Sequence, residues 1–233
     1  MHLPRLISSS LFILGAACAP IELDASASAT GSTLSLLRRD PGKPECSVSN
    51  ASLPQTGKGA ELPAAASNLK LKFITLGIGT QNYTCADSTE STKPALLGAV
   101  ATIYDASCAV TKYSQMLDFI SDAAVRLPTD MVNYLASRYL NLKVVGNHYF
   151  AGPVPMFDLR KDGHDEYVLV SVAAKVPAPS SENVDWLLLN RVDGVGLQSV
   201  YRVKTTSGKA PATCKNMPAQ FQVKYIAQYW FYG

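Results

Sequence analysis

A regular pattern of apolar and polar positions first appears at Leu69 to Leu76, where Leu69, Leu71 and Phe73 alternate with Asn68, Lys70 and Lys72. A period of two puts alternate side chains on opposite faces of a strand, so this strand is expected to keep one face wet. Comparable runs span Leu97 to Tyr104, Tyr167 to Ala174, Trp186 to Arg191, Gln198 to Thr205 and Phe221 to Tyr232, each bounded by Gly, Pro, Asp or Ser. Short strands with turn residues between them predict a mainly β protein, a single β-sandwich or barrel-like domain. The period changes in the middle. Ser114 can cap a helix with Leu117, Ile120 and Ala124 on one face. Beyond Pro128, Thr129 can cap a second, carrying Met131, Tyr134, Leu135 and Arg138. The pattern predicts a helical hairpin inserted at about 113–142 and packed over one end or face of a β domain spanning 69–233.

The residues before this domain read differently. Residues 40–68 are rich in Pro, Gly, Ser and Ala, which suits an extended N-terminal arm pinned to the body through Cys46. Arg5, the apolar stretch Leu6 to Ala17 and the small residues of Ala17-Cys18-Ala19 have the anatomy of a signal peptide over 1–19, too short to span a bilayer. Residues 20–39 end in Leu37-Arg38-Arg39-Asp40, either a propeptide processed at Arg38 and Arg39 or a linker exposing an Arg pair. Export makes the cysteines informative. Cys18 leaves with the signal, and Cys46, Cys85, Cys108 and Cys214 remain as an even set in an oxidising compartment, so two disulfides are expected with their pairing open. Asn50-Ala-Ser52 and Asn82-Tyr-Thr84 are glycosylation sequons at Asn50 and Asn82.

Composition narrows the function classes. A 233-residue chain with 47% hydrophobic residues can bury a sizeable core. Its formal charge of +3 falls closer to neutral from Asp40 onward, without the clustered basic face that nucleic acid demands. No second apolar stretch approaches membrane-spanning length.

Motifs are few. Gly77-Ile-Gly79-Thr-Gln-Asn82 begins like a dinucleotide fingerprint, but Asn82 stands at the third glycine and no helical period follows. The pair reads as a turn or bulge, no cofactor is expected, and an NAD-dependent dehydrogenase is disfavoured. Gly-x-Ser-x-Gly, His-Glu-x-x-His and any Cys/His cluster with zinc spacing are absent from the sequence, and no metal site is expected. Lys161-Asp162-Gly163-His164-Asp165-Glu166 reads as a tight turn. His148, within the aromatic strand Gly146-Asn-His-Tyr-Phe150, is first a structural, hydrogen-bonded histidine and second a candidate base. Asp158 and Asp185 are the carboxylates that could join it in glycoside hydrolysis. Tyr225, Tyr229, Trp230, Phe231 and Tyr232 crowd the last strand, where alternation sends half the rings each way. Gln81, Tyr83, Tyr149, Trp186, Tyr229 and Trp230 form the candidate binding surface.

Leu76-Gly-Ile-Gly-Thr-Gln-Asn-Tyr-Thr-Cys85, Tyr104-Asp-Ala-Ser-Cys108, Gly146-Asn-His-Tyr-Phe150, Val184-Asp-Trp186, Val200-Tyr-Arg-Val203, Ala210-Pro-Ala-Thr-Cys214 and Gln228-Tyr-Trp-Phe-Tyr232 occur in an order that resembles the DUF3455 family of secreted fungal and bacterial proteins, from about Leu69 to Tyr232. The resemblance implies no established activity. A malate dehydrogenase label borne by some fungal relatives finds no dinucleotide fingerprint here. Bacterial relatives with counterparts of Cys85 and Cys214 and without the helical insert imply a Cys85 to Cys214 bridge, leaving Cys46 with Cys108. The expectation is a secreted, non-catalytic β domain that binds a cell-wall polysaccharide or an extracellular protein. The alternative is a glycoside-type hydrolase using His148 and a carboxylate.

Overall fold

The structure, a computed structural model, describes residues 46–161, 163 and 165–233. The signal and propeptide expectations, with Arg38 and Arg39, and the turn residues Asp162 and His164 lie outside the described residues. Eight antiparallel strands follow one another around a closed barrel: β1 (Leu71–Thr84), β2 (Ala95–Asp105), β3 (Val144–Ala151), β4 (Val154–Asp158), β5 (Tyr167–Val176), β6 (Trp186–Val195), β7 (Ser199–Ser207) and β8 (Gln220–Tyr232). Pairing of β1 with β8, centred on Gly77 opposite Ala227, closes the ring and removes the free sheet edges. β3 contains the aromatic strand Gly146–Phe150, and β4, which completes a hairpin with it, is additional to the expected strands. The hairpin turns at Gly152 (φ 64°), and Pro155 inside the short β4 masks its strand character in the sequence.

Strand alternation sorts the apolar residues into two clusters. Ile103, Phe157, Val168, Val200, Tyr229 and Phe231 fill the barrel interior. Ile74, Leu76, Ile78, Tyr201, Ile226 and Trp230 point outward from β1, β7 and β8 and are covered by the arm and the helices. That cover is why β1 is buried on both faces from Ile74 to Gly79 instead of keeping the wet face that its lysines suggest. The arm is held by the Tyr201 hydroxyl donating to the Pro63 carbonyl (3.0 Å) and by the Cys46–Cys108 disulfide. Cys85–Cys214 is the second bridge, so both pairings are those the resemblance implied.

Between β2 and β3 run α1 (Ser107–Ala124) and α2 (Thr129–Arg138). The first helix starts seven residues before Ser114 because Ser107 is anchored there: its hydroxyl donates to the Ile74 carbonyl and accepts from the Ile74 amide, and its own amide donates to Asp105. The Ser114 signal survives as a break, since Tyr113 departs from helical geometry just before it. Thr129 is the first helical residue of α2 and Pro128 takes the capping position, with no side-chain cap. A bulge in β7 between Val203 and Thr206 turns Lys204 and Thr206 towards α1. There Lys204 pairs with Asp118 (2.8 Å) and Thr206 donates to Asp122 (3.2 Å). Lys224 of β8 reaches the Leu127 carbonyl (2.7 Å), and Tyr104 donates to Asn133 on α2 (3.0 Å). Polar struts therefore hold the hairpin over the outer face of the barrel. No helix among the described residues is long and apolar enough to cross a membrane.

Candidate functional site

His148 points into the barrel. Its ring lies flat on Phe157 (centroids 4.2 Å apart), with Tyr229 and Phe150 beside it at 5.9 and 6.1 Å, and Nδ1 is 2.9 Å from the Met156 carbonyl. A carbonyl only accepts, so Nδ1 carries the proton and the ring is held as the neutral tautomer. Burial pushes its pKa down from 6.5 to about 4, a shift reinforced by the Arg202 cation and opposed by the Met156 bond. Phenolic and cationic groups also line the interior. The Tyr225 and Tyr229 hydroxyls meet at 2.9 Å, and burial raises the pKa of both. Arg202 donates to the Asp185 backbone carbonyl through Nε (3.3 Å) and Nη2 (2.9 Å).

This geometry does not assemble the hydrolase constellation. Asp158 is cross-strand neighbour to Asn147, one residue from His148 and therefore on the opposite face of the sheet. Its carboxylate is gripped by Arg160 at 2.9 Å through both Nε and Nη2, and that hydrogen bonding holds its pKa below the usual range. The Asp185 carboxylate lies 3.7 Å from Lys175, partly exposed at the start of β6. Neither carboxylate is hydrogen-bonded to the imidazole. The imidazole is buried and seated on a backbone carbonyl, with no carboxylate among the described residues beside it to act with it. Among the described residues, no group of three or more His, Cys, Asp or Glu side chains converges as a metal cage would require.

The His148 pKa has a measurable consequence. The unfolded imidazole takes up its proton near 6.5 and the folded one only near 4, so its contribution to stability is complete above 6.5 and is lost as pH falls towards 4. The shift corresponds to about 3 kcal/mol. Urea unfolding at pH 7.5 and pH 4 should show the wild type losing about that much more stability than His148→Gln; parallel losses in the two proteins would place the imidazole in water.

The anticipated aromatic surface is not on the surface. Gln81, Tyr83, Trp186, Tyr229 and Trp230 are all buried, and only Tyr149 is half-buried. Tyr83 stacks on Phe221 and donates to the Gly208 carbonyl (2.8 Å), while Trp186 and Trp230 lie under the arm cluster. Gln81 faces the interior beside Gly208, and its amide nitrogen lacks a hydrogen-bond partner. Of the two sequon asparagines, Asn50 is exposed in a turn and Asn82 is half-buried near the end of β1.

Large exposed apolar groups lie on β2, β5 and β6, among them Leu96, Val172 and Val192, and on the helical hairpin. Phe119 is 75% exposed, and Tyr113, Met116, Tyr134, Tyr139 and Leu140 are exposed with it. Behind Phe119 an apolar cleft of about 190 Å³ opens between the hairpin and the barrel, floored by Leu76, Ile78 and Ile226 and walled by Leu117, Leu135 and Ala136. Its single polar side chain is Ser121, whose hydroxyl is consumed by the Leu117 carbonyl (2.8 Å). A narrower neck shares Ile78, Ala124, Leu127, Val132 and Ile226 with the cleft and brings in Lys224 and Thr129. Sequence reasoning passed over this cleft. Helical periodicity gave Leu117, Ile120 and Ala124 as a packing face, but a gap behind that face leaves no mark on the periodicity.

No curated protein and no solved structure matches the chain. A family model described as "Protein of unknown function (DUF3455)" matches residues 65–233, the whole barrel with its helical hairpin. The chain therefore belongs to the DUF3455 family, a family of unknown function.

Proposed function

We propose that this chain is a secreted, non-catalytic binding module that takes its ligand into the cleft between the helical hairpin and the barrel. The observation that carries the reading is the cleft itself: about 190 Å³ lined by carbon, with exposed Phe119 and Leu140 at its rim. Apolar pockets with a few polar groups at the edge are the usual form of small-molecule sites. The barrel interior offers less, because the imidazole is tied to a carbonyl and both candidate carboxylates are engaged elsewhere. A polysaccharide partner loses support with the burial of the rings that would stack on sugar. Export is supported by the signal-like N-terminus, the two disulfides and the sequons at Asn50 and Asn82.

The test is extraction of small molecules from the protein after purification from culture medium. Wild-type protein should retain an apolar molecule at near one equivalent, and Ala124→Phe, which puts a ring where cleft and neck meet, should lose it. Retention by both proteins, or by neither even after incubation with the medium's lipid extract, would overturn the site. Turnover of a glycan substrate abolished by His148→Gln would restore the hydrolase.

A further inference from the structure

We infer that the ligand of this cleft is an aliphatic monocarboxylate, a medium-chain fatty acid, with its chain behind Phe119 and its carboxylate against Lys224. The inference rests on the cleft being a ligand site and adds the chemistry of the occupant. The volume sets the size. An apolar cavity of ~150 Å³ stays dry and admits a benzene-sized molecule. A cleft of about 190 Å³ is matched to a short run of methylene groups or a single ring. A steroid or a two-chain lipid is too large for it. The lining sets the polarity, because no donor or acceptor is free inside: Ser121 is bonded within its own helix.

Charge then selects among apolar molecules. Lys224 stands at the neck, half-buried, and its Nζ donates to the Leu127 carbonyl at 2.7 Å. The acids of α1 face β7: Asp118 forms an ion pair with Lys204, and Asp122 accepts a hydrogen bond from Thr206. Among the described residues no carboxylate pairs with Lys224. An ammonium has three donors, so a carboxylate can join the Leu127 carbonyl without displacing it. A partly buried cation without a counter-ion, at the mouth of an apolar slot, is complementary to a ligand with an anionic head and a hydrocarbon tail. The carbon positions match as well, since Ile78, Ala124, Leu127 and Ile226 are common to neck and cleft and join head site to tail site without a polar interruption.

Octanoate and octan-1-ol, equal in chain length and differing in charge, separate the two layers of the argument. Calorimetric titration of the full secreted protein should give one octanoate per chain, bound at least about tenfold more tightly than octan-1-ol, the range for a hydrogen bond to a charged partner. Lys224→Met, which keeps the apolar stem, should remove that advantage, so that octanoate and octan-1-ol bind this variant equally well. Ala124→Phe should weaken both, and circular dichroism with thermal unfolding shows whether each variant is folded. Equal affinity for acid and alcohol, or octanoate binding indifferent to Lys224→Met, would overturn the carboxylate assignment while leaving the cleft as a site. Failure of both compounds to bind the wild type would overturn the assignment and the cleft together.

Discussion

Gly79→Ala is expected to destabilise the barrel by at least about 4 kcal/mol, enough to stop most of the protein from folding. Gly79 lies in β1 between Ala101 of β2 and Tyr225 of β8. A Cβ on it would stand 2.6 Å from the Ala101 Cα and 2.8 Å from the Ala101 Cβ, with the Val100 carbonyl oxygen closer still. Those atoms belong to a hydrogen-bonded strand and cannot rotate aside, so relief requires separating β1 from β2. Gly77→Ala is the internal comparison. Its Cβ would stand 2.5 Å from the Tyr229 Cε2 and 3.2 Å from the Ile103 Cδ1, so the buried Tyr229 ring must move, but the atoms met are side chain and not strand backbone, and it should cost about 1–3 kcal/mol. Secreted yield and urea unfolding of the two variants measure the contrast. A Gly79→Ala protein within about 1 kcal/mol of wild type would mean that the strands do not approach so closely there.

The same glycine shows how the sequence could be read and where it misled. In Gly77-Ile-Gly79 the spacing imitates the opening of a nucleotide loop, yet both residues lie inside a fourteen-residue strand that makes no turn. The requirement is for space against a neighbouring strand, and nothing local in the sequence separates that from a requirement for a turn. Strand character itself was legible wherever β-branched and aromatic residues ran without proline, as in Tyr167 to Ala174 and Phe221 to Tyr232. It was hidden in β4, where Pro155 interrupts five residues. The helical insert was legible from its change of period. Its start was not, because the bonds that fix Ser107 run to Ile74, thirty-three positions earlier in the chain.

The site was less legible than the fold for a related reason. His148 was correctly placed in an aromatic strand, with a hydrogen-bonded structural role as its first reading, and the Met156 carbonyl and Phe157 ring supply that role. For the aromatic finish, core packing was expected of the inward half and an interaction surface of any exposed half, with Tyr229 and Trp230 assigned to that surface, because alternation says only that rings point both ways. In a closed barrel one way is the interior, and here the arm and helices cover the other. Both faces of β8 are covered, and the exposed rings at the cleft belong to the hairpin, where Phe119, Met116 and Tyr134 read in sequence as ordinary positions around a helix. The cleft depends on how far the polar struts at Lys204, Thr206 and Lys224 hold that hairpin from the barrel. Such a distance follows from the β7 bulge and cannot be read from spacing.

Removing the Cys85–Cys214 bridge, as the Cys85→Ser/Cys214→Ser pair, is expected to lower stability by about 5 kcal/mol in the loop-closure account. Its partners are 129 positions apart, so the reduced chain regains the freedom of a very long loop. The bridge ties the residue after β1 to the segment between β7 and β8, where the Cys214 backbone amide donates to the Thr92 carbonyl (2.8 Å) and the Cys85 backbone amide to the Ala219 carbonyl (2.9 Å). The bridge lies where β1 and β8 close the ring, so its loss weakens the whole barrel and should appear as one cooperative shift in the urea midpoint, with a steeper slope as the freed unfolded chain exposes more surface. Cys46→Ser/Cys108→Ser opens a loop of 62 positions, whose closure is worth about 4 kcal/mol on the same basis. Its effect should differ in kind. Cys46 is in the arm, whose hold on the barrel otherwise rests on Tyr201 and on Val48 and Leu62 packed into the outer cluster. Release of the arm should precede global unfolding, giving a first proteolytic cut between 49 and 68 at urea concentrations where the barrel remains intact. Coincident loss of arm and barrel in that variant would show the arm to be part of the cooperative core, and a midpoint unchanged in the Cys85/Cys214 variant would show that hydrogen bonding alone secures the barrel closure.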